Sequence, residues 1–142
     1  MSFQKRINLQ TEHYQQYINI TNVIKDTVLE SGIVNGQITV ITNHTTTGIM
    51  VNEDLECLLR DIENFLGKNV SEKGDYYHAR MLREYGSTAG NVVGHLKSLI
   101  VGNHAHGLVI DCNLSLGSAQ QIFFCEFDGP AQRTFHIYIH GE

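Results

Sequence analysis

Long apolar runs are missing from this 142-residue sequence. No stretch approaches the roughly 18 apolar residues that a membrane-spanning helix needs. Residues 1–10 already alternate polar with apolar and lack the apolar block of a signal peptide. A soluble, cytoplasmic protein without a membrane partner is the expectation. Proline is nearly missing too: Pro130 is the only one, and no Pro/Ser-rich linker, internal repeat or low-complexity tract divides the chain. Cys57, Cys112 and Cys125 are an odd number without Cys-x-x-Cys spacing, which argues for reduced thiols and against a disulfide framework. Cations are few and scattered, with 10 Lys and Arg against 15 Asp and Glu and a formal charge of -5. Nucleic-acid binding by counterion release needs clustered cations, so no nucleic-acid partner is expected.

Hydrophobic residues make up 42% of the chain, enough to pack one core, and the length fits a single domain over residues 1–142. The eight histidines are the unusual feature. They titrate near neutral pH, and their number raises the prospect of a metal site.

The spacing of apolar residues predicts a strand over Phe3–Leu9 and a helix over Thr21–Ser31, striped by Val23, Ile24, Thr27 and Val28 and capped by Gly32. Gly36–Asn43 is rich in β-branched residues and reads as a strand, and Ile49–Val51 as another. Leu55, Leu58, Leu59, Ile62, Phe65 and Leu66 follow helical spacing up to Gly67, with Asn52 or Asp54 as the cap. Residues 68–90 read as a long loop, and Asn91–Val101 as a helix closed by Gly102. Leu108–Cys112, Gln120–Phe127 and Arg133–His140 read as strands, the last two joined as a hairpin by Asp128-Gly129-Pro130. The order does not alternate strictly between strand and helix. An α+β fold with mostly antiparallel sheet follows.

Several constellations are candidates for chemistry. His44-Thr45-Thr46-Thr47-Gly48 is either a polar ligand-binding turn or a turn whose threonines bond their own backbone. Asn91 and His95, four apart, share one helix face; a solvated face is the alternative. His104-Ala105-His106 puts two imidazoles on one side of an extended segment, as exposed turns also do. His136 and His140 would lie about 13 Å apart on a strand, too far to share one zinc. Glu126 and Asp128 close an apolar strand, with Arg133 across the turn. They could hold Mg2+ and phosphate oxygens, or form a solvated tip.

Three segments, HTTTGIMVNED (His44–Asp54), GNVVGHLKSLIVG (Gly90–Gly102) and FFCEFDGPAQR (Phe123–Arg133), resemble the YjbQ (UPF0047) family in order and spacing. The similarity covers nearly the whole chain. It implies a compact α+β domain, a homotrimer, a histidine-based metal site and secondary thiamine-phosphate synthase activity, in which a pyrimidine diphosphate and a thiazole phosphate join and release pyrophosphate. On that reading Glu126, Asp128 and Arg133 carry the catalysis. Thr45, Thr46, Asn52, Glu53, Asn91, Lys97 and Gln120 contact a small phosphorylated substrate. His44, His78 and His95 hold a divalent metal, zinc or magnesium. The alternatives are a trimeric metal- or phosphate-binding protein without turnover, and a metal-dependent hydrolase of a small phosphorylated compound. Ala89, Ala119 and Ala131 depart from the family pattern, and His104, His106, His136 and His140 match no family position.

Overall fold

A computed structural model describes residues 1–80 and 91–142. In chain order the elements are β1 (Ser2–Gln10), β2 (Gln16–Asn19), α1 (Thr21–Ser31), β3 (Gly36–Thr42), β4 (Thr47–Asn52), α2 (Glu56–Asn69), the single turn α3 (Tyr77–Arg80), α4 (Val92–Val101), β5 (His104–Ile110), β6 (Asn113–Ser115), β7 (Gln121–Glu126) and β8 (Gln132–Gly141). The predicted α+β class holds, with every strand pairing antiparallel. The long loop is corrected within its described part: α2 continues to Asn69, and the turn α3 interrupts it at Tyr77–Arg80. Ala89 lies outside the described residues. Among the described residues no helix is long and apolar enough to cross a membrane.

Two sheets face each other. One has the order β1-β8-β3-β5-β6, the other β2-β7-β4. Alternation of residue type puts Ile38 and Val40 of β3 and Phe135, Ile137 and Ile139 of β8 on one face, where they meet Ile122 and Phe124 of β7 and Ile24 and Val28 of α1. The other face of β7 presents Phe123 and Cys125, which pack with Phe127 and with Leu59, Ile62 and Leu66 of α2. β7 is therefore covered on both sides, which explains its nearly continuous apolar sequence. Helix α1 ends as predicted, with Gly32 left-handed at φ 68° and its N–H bonded to the Leu29 carbonyl. Helix α2 is less faithful to its pattern. Leu55 and Phe65 are 45% and 59% exposed, and neither Asn52 nor Asp54 caps it, because Leu55 is the N-cap residue.

The predicted hairpin does not form. β7 and β8 belong to different sheets, and the segment between them crosses from one to the other. Thr11 holds this crossing: its N–H donates to the Ala131 carbonyl at 2.9 Å, and its hydroxyl accepts the Ala131 N–H at 2.9 Å. Gly129 donates to the Tyr14 carbonyl, and a side chain at Gly129 would run into the His13 carbonyl. Turn chemistry at Asp128–Pro130 reports a change of direction but not which sheet receives the next strand.

Candidate functional site

The turn from Asn43 to Thr46 also crosses between the sheets, from β3 to β4. Its hydroxyls mostly serve the turn itself. Thr42 Oγ1 lies 2.6 Å from Thr47 Oγ1, the His44 N–H donates to Thr42 Oγ1, and the Thr47 hydroxyl donates to the His44 carbonyl. The His44 ring faces β8, where the Thr134 backbone N–H donates to its Nε2 at 2.9 Å. That bond puts the lone pair on Nε2 and the proton on Nδ1. Burial lowers the His44 pKa, as do the cationic Arg133 and Arg6, against an opposing pull from Glu126. His44 is thus held neutral, as the Nδ1–H tautomer.

Helix α4 brings the second imidazole. Gly94 allows it close: a Cβ there would sit 2.9 Å from the Phe127 carbonyl oxygen and 3.1 Å from Thr46 Cβ. The Ser98 hydroxyl donates to the Thr47 carbonyl at 2.5 Å and fixes the helix against β4. The result is a cavity of about 580 Å³ lined by Asn43, His44, Thr45, His95, Ser98 and Asn103 among others. The His78 ring meets His95 edge-on, centroids 5.4 Å apart and planes at 90°. Asn91 is the N-cap residue of α4 without a side-chain capping bond, and its amide donates to Asp128 Oδ2 at 3.1 Å. Among the described residues, His78 Nδ1 and Asn91 Oδ1 are buried with no hydrogen-bond partner.

The three histidines expected to hold a metal are brought partly together among the described residues. His44 and His95 share the cavity and His78 touches His95, but the Nε2 lone pair of His44 is taken by Thr134. Among the described residues no group of three or more His, Cys, Asp or Glu side chains is placed to hold a metal ion.

Glu126 and Arg133, expected to carry catalysis, are bonded to each other within the fold. Glu126 is fully buried. Its Oε1 accepts from the Thr11 hydroxyl and from Arg133 Nε, both at 2.7 Å, and its Oε2 accepts from an Arg133 terminal nitrogen at 2.6 Å and from the Asp128 N–H at 3.1 Å. Arg133 also donates to Thr46 Oγ1 at 2.9 Å. No oxygen of Glu126 is left for Mg2+, and Arg133 is committed to Glu126 and Thr46. The group is a clamp that ties β7 to β8, to Thr46 and to Thr11.

Lys97 is buried on α4, with its ammonium 3.8 Å from Glu72 Oε1. Burial pushes its pKa down, and Glu72 and Glu63 oppose the shift. It does not line the cavity. Asn52 and Glu53 are exposed ahead of α2, where Asn52 Oδ1 accepts the Glu53 N–H. Gln120 folds back to accept the Gly117 N–H at 2.8 Å. Of the predicted substrate contacts, Thr45 lines the cavity, and Asn91 lies one turn before His95 at the start of α4, its carbonyl accepting the His95 N–H. Ser98 and Asn103 were missed. Ser98 follows His95 by three residues, a spacing that already placed it on the same helix face.

An α+β domain with two facing antiparallel sheets and a histidine-walled cavity at a crossing between them is the class these observations define. The chain belongs to the family described as UPF0047 protein YjbQ-like, which it matches over residues 5–142. It is 33% identical over 137 residues to the UPF0047 protein YugU of Bacillus subtilis, covering 96% of this chain and 98% of that protein. It is 31% identical over 140 residues to a UPF0047 protein of Methanothermobacter thermautotrophicus, covering 99% and 93%. A YbjQ-like protein of unknown function from Sulfolobus solfataricus superimposes with a TM-score of 0.91 at 26% identity, covering 100% of this chain and 99% of that one. An uncharacterized conserved protein of the family from Clostridium acetobutylicum gives 0.86 at 35% identity, covering 96% and 99%. These findings overturn the expected thiamine-phosphate synthase activity: the family is one of unknown function, and none of these relatives carries that name.

Proposed function

We propose that the chain binds a compact carbonyl compound in the histidine-walled cavity, with His44 Nδ1–H donating to the carbonyl oxygen and His95 as the second polar contact. The observation that carries this reading is the bond from the Thr134 amide to His44 Nε2. A neutral imidazole whose far nitrogen is fixed as acceptor presents a permanent N–H donor, and such a donor polarises a carbonyl without carrying charge. Among the described residues lining the cavity none is a carboxylate, Lys or Arg, which favours a weakly charged ligand over a phosphorylated one. The test is ligand-observed NMR with a panel of small ketones, aldehydes and 2-oxo acids. At least one should bind, and His44→Phe should weaken it about 2–12-fold, the worth of one neutral hydrogen bond. Equal affinity in the folded variant and the parent sinks the reading.

Self-association as a homotrimer belongs to the same proposal. Leu99 and Ile100 of α4 are 78% and 48% exposed. Covering such side chains with another copy removes apolar surface from water. Sedimentation equilibrium should return three times the 16.0 kDa chain mass; a monomer mass at micromolar concentration refutes it. The free thiols, Cys57 among them exposed, suit the reducing cytoplasm. The scattered cations and the charge of -5 speak against a nucleic-acid partner.

A further inference from the structure

The outward face of the five-stranded sheet carries histidines that the cavity does not use. Four of them, His104 and His106 on β5 and His136 and His140 on β8, sit at alternating outward positions. Pairing register places His136 beside Ile41 and Ile41 beside His104, while His106 lies beside Thr39 and Thr39 beside Tyr138. Only His104 and His106 are neighbours along one strand. Two residues of strand separate them by roughly 6.6 Å between Cα atoms, with both side chains on the same face.

Their ring hydrogen bonds point the same way. His104 Nδ1 lies 2.8 Å from Asn103 Oδ1. That oxygen only accepts, so Nδ1 carries the proton and the Nε2 lone pair is available. His106 Nδ1 lies 3.4 Å from Thr39 Oγ1, a hydroxyl that engages Nδ1 in either tautomer. Metal-binding histidines are usually oriented in this manner, with one ring nitrogen tied to an oxygen and the other ligating. Both residues are exposed, so a hydrated ion reaches them without any rearrangement of the core.

We propose that His104 and His106 form a two-imidazole chelate on β5 for a borderline divalent transition ion such as Ni2+, Cu2+ or Zn2+. Imidazole nitrogen suits these ions, whereas Mg2+ prefers oxygen. Two protein nitrogens leave the remaining coordination positions to water or to a ligand from another molecule. This site is separate from the cavity histidines and does not depend on the carbonyl reading.

The experiment is isothermal titration of the full, untagged chain with Ni2+, repeated on His104→Gln, His106→Gln, His95→Gln and His140→Gln. One ion should bind per chain. Each of the first two substitutions should weaken binding at least about tenfold by leaving a single imidazole, and the last two should leave it unchanged. Both β5 substitutions fall at exposed positions and should leave the thermal midpoint in place, so the loss reads as a lost ligand. Backbone amide signals at His104 and His106 should broaden first when Ni2+ is added. Undiminished affinity in the β5 variants, loss in His95→Gln instead, or no Ni2+ binding at about 100 µM protein, each overturns the proposal.

Discussion

Replacing Arg133 with methionine is expected to cost the fold about 3–5 kcal/mol, the penalty for leaving a buried charge without its partner. Glu126 is 0% exposed and Arg133 makes two of the four hydrogen bonds to its carboxylate. Removing the guanidinium leaves the Thr11 hydroxyl and the Asp128 N–H, which solvate the oxygens but cannot balance their charge. Chemical denaturation of the purified variant measures the loss. Adding Glu126→Gln in the same chain removes the charge and should recover more than half of it. A single variant within about 1 kcal/mol of the parent, where ordinary surface changes lie, contradicts the assignment, and so does a double variant no better than the single.

The pH dependence should change sign with the same substitution. In the parent, burial alone would raise the Glu126 pKa, but hydrogen bonds from Arg133, Thr11 and Asp128 together with the Arg133 charge outweigh it and hold the carboxyl below its ordinary value. The stabilisation is complete above the unfolded carboxylate range, about 4.3, and fades as pH falls through the lower folded value. Without Arg133, burial dominates and the carboxyl rises above 4.3. The folded variant then binds more protons than its unfolded chain, so acidification from pH 7 to 5 should stabilise it. Glu126→Gln removes this dependence in either background.

How much of this was readable beforehand differs from residue to residue. Ile38, Val40, Ile137 and Ile139 announced their strands by alternation, and Gly32 announced the end of α1, because both signals are local. The strands β2 and β6 were not legible. Tyr17 and Ile18 are flanked by polar residues, and Asn113–Ser115 is only three residues long; both exist through pairing with β7 and β5. Glu126 and Arg133 stood out as charges seven apart, yet spacing does not reveal burial, and burial turned a candidate cation site into a closed clamp. His44 stood out by the turn it occupies, but its bond across to β8 did not. Its tautomer is set by the backbone of Thr134, 90 residues further on, and no local pattern carries that information.

Phe124 shows most directly what the two-sided burial of β7 contributes. The residue is 0% exposed, pairs with Ile18 on one side and Ile49 on the other, and brings its ring within 5.8 Å of Phe135 in the opposite sheet. Truncation to alanine opens a cavity that neither sheet can close without breaking its own register, so Phe124→Ala should cost about 3–5 kcal/mol. Phe65 supplies the control. The helical spacing of α2 marks it as equally apolar, but it is 59% exposed, and Phe65→Ala should stay within about 0.5 kcal/mol. Denaturant midpoints for the two variants, measured side by side, decide whether burial, rather than apolarity alone, sets the cost. A cost below about 2 kcal/mol for Phe124→Ala, under the range for a large side chain lost from a packed interior, shows that the sheets relax into the space and that the core does not depend on this contact.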